Sequence, residues 1–505
     1  MQEALFPKFG PPRAAQDIFP PLWEIVSLLG SVMTLGLLHL GGVYELVNVA
    51  GPILLGTILG IADWRMVRQN PTAIWTPLFS FRLGVLVFLA FGALIPYLVS
   101  DPLVDRIKGL YPYSEEEAAK TNLLWFVYAT LMIGSAKLAS IFRGSETPIE
   151  LGGRLEGWTT AKLGLLFFAI GISYSLLVEL PRALELFEIL VPGSLSLVFL
   201  TANSVGTFLL TYHALQRGGA WYLLIGMILL LQIALGLVLY NKSMILLPIL
   251  LSGLAILVDR VTLPRVIGIT VALVLTLNLL QPAVAQGRVL HVMSYGTAEG
   301  GTSGGSIAER LSNVTSLWTE GPLRESETGE GLIRLSYLNV GTFMVTEFDV
   351  GLPGNSIEAA TYALIPRFIW PQKPAVSDAG RELYYRVTGE ETSFLAPTTA
   401  ADLYWNMGWT GILLLTPVLG VLLWLGTLAS YSILRAEDWF MMPFVLIAFL
   451  VGLGTDQSFV GGIFVPGVAA IIAFYFLRFS KAFVSVATAP QGGRRPPAAP
   501  SRRAP

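Results

Sequence analysis

The sequence predicts an all-α, polytopic integral membrane bundle of about twelve spans with one long hydrophilic loop that carries short helices. Composition is the first observation behind this prediction. Of 505 residues, 54% are hydrophobic and only 13% charged, and mean hydropathy is +0.65, whereas a soluble domain is about 25% charged. The second observation is a repeated succession of apolar runs, and the third is the placement of Lys and Arg in the short connections between them.

Apolar runs of about 20 residues, enough to cross roughly 30 Å of hydrocarbon, fall near 21–41, 43–63, 78–99, 122–142, 161–179, 193–214, 219–240, 243–258, 265–285, 409–432, 438–456 and 459–480. Residues 1–20 read as a cytoplasmic N-terminal segment. They lack the basic-then-apolar layout of a cleaved signal peptide, so the first span is expected to be retained. The bundle then divides into a first part, 21–285, and a second part, 409–480. Alternate short connections hold Arg65 and Arg68, Arg143 and Arg154, Arg217, Arg260 and Arg265, then Arg435. Basic residues favour the cytoplasmic side, which puts both termini there and makes 286–408 a periplasmic loop. The tail, 481–505, is rich in Pro, Ala and Arg and reads as disordered and cytoplasmic.

A loop this long needs a function or a structure of its own. Its first part, "YGTAEGGTSGGS", reads as a flexible Gly-rich stretch. In "NSIEAATYALIP", Asn355 or Ser356 offers an N-cap, Ile357, Ala360 and Leu364 a stripe, and Pro366 a stop. In "SDAGRELYYRVTG", Ser377 offers a cap and Gly389 a terminator. Between these two helices lies "ALIPRFIWPQKP". A further amphipathic stretch at 178–191 aligns Leu180, Leu184, Phe187 and Val191 on one face, as a helix lying along the membrane boundary would.

The residue inventory narrows the chemistry. There is no cysteine, so disulfides, thiolate metal sites and thiol nucleophiles are excluded. His39, His213 and His291 are scattered and give no metal cluster. Pro366, Pro371 and Pro374 restrict the backbone around Arg367 and Lys373, which presents two cations at little entropic cost and implies an anionic partner. The planar fork of Arg suits phosphate, and Lys acts as a compact point charge. Trp370 belongs at headgroup depth. Arg334, Arg381 and Arg386 share the same loop, against the usual charge bias. Lys242 falls at a tight turn beside Asn241 and Ser243, where an ionisable group near hydrocarbon is either functional or snorkelling. Asp402 stands at the mouth of the next span with Tyr404 and Asn406. It is a base toward a sugar hydroxyl, or a partner that positions Arg367 or Arg381.

"ALIPRFIWPQKP", "AGRELY" and "TSFLAPTTAADLYWNMGWTGILLL" together resemble the outer loop and following span of bacterial oligosaccharide repeat-unit polymerases of the O-antigen polymerase type. The resemblance runs from about Arg334 to Leu415, with "NKSMILLPIL" a weaker second match. Asp402 stands where the family more often has Glu, and the Gly-rich stretch at 296–306 lies outside the pattern. The resemblance implies a GT-C-like bundle in the bacterial inner membrane. It also implies glycosyl transfer between polyprenyl-diphosphate-linked oligosaccharides at the outer face, as in O-antigen, capsule or exopolysaccharide synthesis. Arg367, Arg381 and Asp402 are then the expected catalytic residues, and Arg334, Lys373, Lys242, Trp370, Tyr404 and Asn406 the substrate-binding ones. The expected partners are those lipid-linked glycans, membrane lipids, and a chain-length regulator and flippase of the same pathway. No metal, cofactor or nucleic acid is expected. The alternatives are a lipid-linked oligosaccharide flippase or transporter, and an O-antigen ligase.

Overall fold

A computed structural model of the chain describes residues 18–98, 111–143, 159–187, 189, 191, 193–257, 262–295, 304–319, 321, 335–365, 369–370, 372–374, 376, 378–389 and 395–488. Among these residues there are helices and no strands. The long helices, in chain order, are α1 (Leu22–Leu40), α2 (Tyr44–Gln69), α3 (Pro77–Leu98), α4 (Glu115–Arg143), α5 (Thr160–Ala183), α6 (Gly193–Arg217), α7 (Ala220–Val238), α8 (Lys242–Leu257) and α9 (Leu263–Tyr295). Shorter helices follow: α10 (Ile307–Thr319), α11 (Leu338–Asp349), α12 (Ala359–Ala363) and α13 (Asp378–Thr388). The chain then re-enters the bundle through α14 (Thr399–Arg435), α15 (Trp439–Asp456) and α16 (Phe459–Ala482, continuing to Thr488).

Among the described residues, 10 helices are long and apolar enough to cross a membrane, and Lys242–Leu257 and Leu263–Thr276 are shorter apolar helices. Each predicted apolar run lies on one of these. The protein is therefore a multi-pass helical membrane protein. Leu22, Val26, Leu29, Met33 and Leu37 are exposed on α1 at helical spacing, a stripe that hydrocarbon can cover and water cannot. The interior holds two large apolar clusters. One gathers Trp75, Phe208, Tyr212, Trp439 and Phe449, and the other Phe81, Trp125, Tyr128, Leu403 and Tyr404.

Local chemistry sets the helix ends. Ser114 and Glu117 exchange a capping box at the start of α4: the Ser114 amide donates to Glu117 Oε2 at 2.7 Å, and the Glu117 amide to Ser114 Oγ at 3.2 Å. Thr76 caps α3 with Pro77 at its first position. Gly389, at φ 75°, ends α13 where the sequence predicts it.

Several boundaries differ from expectation. The helix predicted over 178–191 stops at Ala183, after which Glu185 takes a φ of 55° and Leu186 and Phe187 are exposed. The helix α9 continues through Pro282 to Tyr295, past the predicted edge at 285, and α16 runs on to Thr488, past that at 480. Ile18 and Phe19, assigned to the N-terminal segment, are buried against Trp424 and Leu428. The Gly-rich residues 296–303, most of the tail and residues 1–17 lie outside the described residues.

Candidate functional site

The second part of the bundle begins with a broken helix. Within α14, Gly408 has φ 59° and ψ −148°, a conformation that only glycine adopts readily, and the predicted loop boundary falls there. The break sets off a short leg, residues 399–407, at the end of the bundle from which the long loop emerges. Thr398 accepts from the Ala401 amide as its N-cap, and Thr399 Oγ donates to the carbonyls of Gly454 and Gln457 at 3.2 and 2.8 Å. The leg is thereby fixed to the turn between α15 and α16.

Asp402, on this leg, is 0% exposed. Its Oδ1 accepts from Ser356 Oγ and from Asn406 Nδ2 at 3.3 Å, and its Oδ2 from the Phe459 amide at 2.7 Å. Asn406 also donates to Ser356 Oγ at 2.6 Å and accepts from the Ile357 amide at 3.2 Å. Asp402 and Asn406 thus tie the leg, the turn that opens "NSIEAATYALIP" and the start of α16 into one unit. A buried carboxylate with three donors is a fastener by geometry, and it sits inside the fold where the sequence suggests a span mouth.

Tyr404 faces a different set. Its hydroxyl donates to Asp349 Oδ1 at 2.9 Å, Lys120 Nζ forms an ion pair with Asp349 Oδ2, and the same ammonium lies 5.3 Å from the Tyr404 ring centroid. Thr346 donates to Glu117 at 3.2 Å. Lys120 and Asp349 keep side-chain exposures of 28% and 37%, so this cluster opens to the surrounding medium. Beside it, Arg386 pairs with Glu382 at 2.7 Å and Glu347 at 3.4 Å, and stands 5.2 Å over the Trp405 ring.

Lys242 starts α8 and is near enough to act electrostatically on the Asp456 carboxylate. Asp456 in turn accepts from the Tyr337 hydroxyl at 3.3 Å. Burial and that carboxylate push the Tyr337 phenol up, so it stays a donor. Tyr337 also packs edge-on against Phe88 at 5.8 Å. Phe88 lies in a π-helical segment, Val85–Phe91, and Asp402 touches another, Phe459–Phe464. Such segments are frequent at functional sites.

Of the proline-rich stretch, Lys373 and Trp370 are described, whereas Pro366, Arg367 and Pro371, like Arg334, lie outside the described residues. Lys373 Nζ donates to the carbonyls of Ile365, Ala363 and Tyr362 at 2.6, 3.2 and 3.3 Å, which closes the C-terminal end of α12. Trp370 is 41% exposed and edge-on to Tyr362 at 6.2 Å. Arg381 is partly buried on α13.

Sequence reasoning missed Lys120, Asp349 and Ser356, whose roles depend on pairings across 229 and 46 residues. It also missed a second charged cluster at the opposite end of the bundle. There Arg82 Nη1 meets Glu24 at 2.8 Å and Arg82 Nε meets Asp63 at 2.5 Å, with Arg82 and Glu24 at 1% and 0% side-chain exposure. The signal was available: Glu24 and Arg82 are each the lone charge in an apolar run, and such residues are functional or structural anchors. Among the described residues no group of His, Cys, Asp or Glu is arranged to hold a metal ion. Comparison of the chain with protein-family models, with curated proteins and with solved structures gave no match.

Proposed function

We propose that this chain is a membrane glycosyltransferase that polymerises polyprenyl-diphosphate-linked oligosaccharide repeat units at the outer face of the bacterial inner membrane. In this reading the bundle has twelve spans, both termini are cytoplasmic and the loop is periplasmic. One observation carries it. Two of the residues that bear the resemblance, Asp402 and Asn406, are joined through Ser356 and Ile357 to the segment that leads into the proline-rich stretch, which supports the two stretches acting together.

In the reaction, an acceptor hydroxyl oxygen attacks the anomeric carbon of the donor glycan. The bond from that carbon to the diphosphate oxygen breaks, the diphosphate leaves with the electron pair, and the hydroxyl proton passes to a carboxylate. Arg367, Arg381 and Arg334 stabilise the departing diphosphate electrostatically. Confinement of both substrates to one leaflet lowers the entropic barrier. Trp370, exposed, suits headgroup depth, and Lys242, exposed at the start of α8, offers a further cation. A chain-length regulator and a flippase are the partners such a pathway requires.

A second reading, a flippase or other transporter of the same lipid-linked glycans, is favoured by the Glu24–Asp63–Arg82 network inside the spans, since ionisable residues there mark transport pathways. Glycan analysis of a deletion strain separates the two. Loss of long chains with single repeat units still displayed on the cell surface is the expected result. Loss of every displayed unit favours transport instead. In the polymerase case Arg367→Ala abolishes chain extension and Arg367→Lys retains little. Wild-type chain length in the alanine variant, at normal protein level, reduces the proline-rich stretch to scaffold.

A further inference from the structure

We infer that Asp349, and not Asp402, takes the proton of the acceptor hydroxyl, within a subsite for the acceptor sugar formed with Glu117, Lys120, Thr346 and Tyr404. The inference rests on the polymerase reading and deepens it.

Asp402, Asp456, Glu347 and Asp349 stand on or around the motif-bearing leg. Asp402 is 0% exposed and holds three donors, so a sugar cannot reach it without dismantling the junction it fastens. Asp456 is engaged by Tyr337 and by the Lys242 charge. Glu347 faces Arg386. Asp349 differs in both respects that matter. Each of its oxygens holds a single donor, Tyr404 at Oδ1 and Lys120 at Oδ2, and a carboxylate offers about four lone-pair sites. Its side chain is 37% exposed, so a hydroxyl can reach the positions left over.

The surrounding groups hold this carboxylate in one orientation. Lys120 is fixed from two directions, by the ion pair and by the Tyr404 ring 5.3 Å away. Tyr404 is buried at 2% exposure and packs edge-on against Phe348 at 5.3 Å, next to Asp349 in sequence. Glu117 accepts from Thr346 on the adjacent turn of α11. The result is an array of fixed acceptors with one ammonium donor, the complement of a sugar bearing neighbouring hydroxyls. The proton that leaves the acceptor oxygen as it bonds to the anomeric carbon ends on Asp349 and passes from there to water, while the diphosphate departs with its electron pair.

The test uses the full-length protein in lipid vesicles, supplied with lipid-linked repeat units extracted from a strain lacking it, with chain extension followed on gels. Asp349→Asn is expected to lower kcat by roughly 10²–10⁴-fold, the usual share of general base catalysis, with KM little changed. Formate should partly restore Asp349→Ala, because the site is open. Lys120→Met is expected to raise KM, because it removes the ammonium donor of the subsite, and to lower kcat far less than Asp349→Asn does. Wild-type turnover in Asp349→Asn would overturn the inference and leave the polymerase reading intact. So would equal losses in Asp349→Asn and Lys120→Met with no response to formate, which is the signature of an ion pair that only holds α4 to α11. Failure of the unaltered protein to extend the extracted units would overturn both.

Discussion

At one end of the bundle Arg82 joins Glu24 and Asp63 on the two preceding helices, and at the other Lys120 joins Asp349 and Tyr404 far along the chain; both clusters bind a carboxylate to a cation across helices. Their surroundings differ. Arg82 and Glu24 have 1% and 0% side-chain exposure, and Lys120 and Asp349 have 28% and 37%. A closed cluster in a low-dielectric interior is stabilised only while every charge is answered, and removing one member leaves the others stranded. An open cluster exchanges its partners with water or with a ligand at little cost. Burial, more than residue type, separates a cluster that holds helices together from one available for chemistry. It also moves the candidate base from Asp402, which shares the closure of the first cluster, to Asp349.

The largest effect is expected from Arg82→Met in the closed cluster. Two carboxylates would then lie beside each other in the spans with no guanidinium between them, and the expected loss is about 3–5 kcal/mol of stability. Thermal unfolding in detergent and membrane yield measure it. Adding Glu24→Gln and Asp63→Asn in the same chain should recover most of that loss. An Arg82→Met protein as stable as the parent would show that the closed cluster is not structural.

Gly408→Ala comes next, at about 1–3 kcal/mol for a residue forced into a conformation reserved for glycine. A Cβ there would also stand 2.5 Å from the Phe348 ring. Phe348 packs on Tyr404, so the variant should disturb the open cluster while sparing the closed one. Normal chain extension with a lowered unfolding temperature would show that the break serves packing alone. A similar size, about 1–3 kcal/mol, is expected for Asp402→Asn, because the new amide turns a donor toward either the Phe459 amide or Ser356. If Asp402 is a fastener, its loss appears in unfolding temperature, and the pH profile of the remaining activity keeps its shape. A displaced acidic limb in that profile would return Asp402 to the chemistry.

How much of this was legible in the sequence follows from the range of each interaction. The apolar helices were, because each is a local apolar run, and so was the end of α13 at Gly389. The break at Gly408 coincided with the predicted loop boundary because glycine and the change in hydropathy fall together. The end of the 178–191 helix was not legible: Leu180, Leu184 and Phe187 keep the apolar spacing, yet the backbone turns at Glu185. The burial of Asp402 was not legible either, since it depends on Phe459, 57 residues further on. The partnership of Lys120 with Asp349 spans 229 residues and leaves no local trace.

The smallest expected effect concerns Lys373, a cation of the loop end that behaves like neither cluster. Its ammonium donates to three backbone carbonyls at the end of α12, so its geometry is that of a helix cap, while the proline-rich sequence around it suggests an anion site. Lys373→Met keeps the aliphatic stem and removes the donors. The stem can still cover the same surface, and the carbonyls of a part-exposed helix end can turn to water, so the cost should be about 1 kcal/mol. Chain extension should fall only slightly, and far less than in Arg367→Ala. Proteolysis near residues 359–365 should quicken, because the cap is what closes that turn. A large loss of extension with unchanged proteolysis would mean that Lys373 leaves its carbonyls to meet the diphosphate, and the loop end would then hold a switchable cation in addition to its open one.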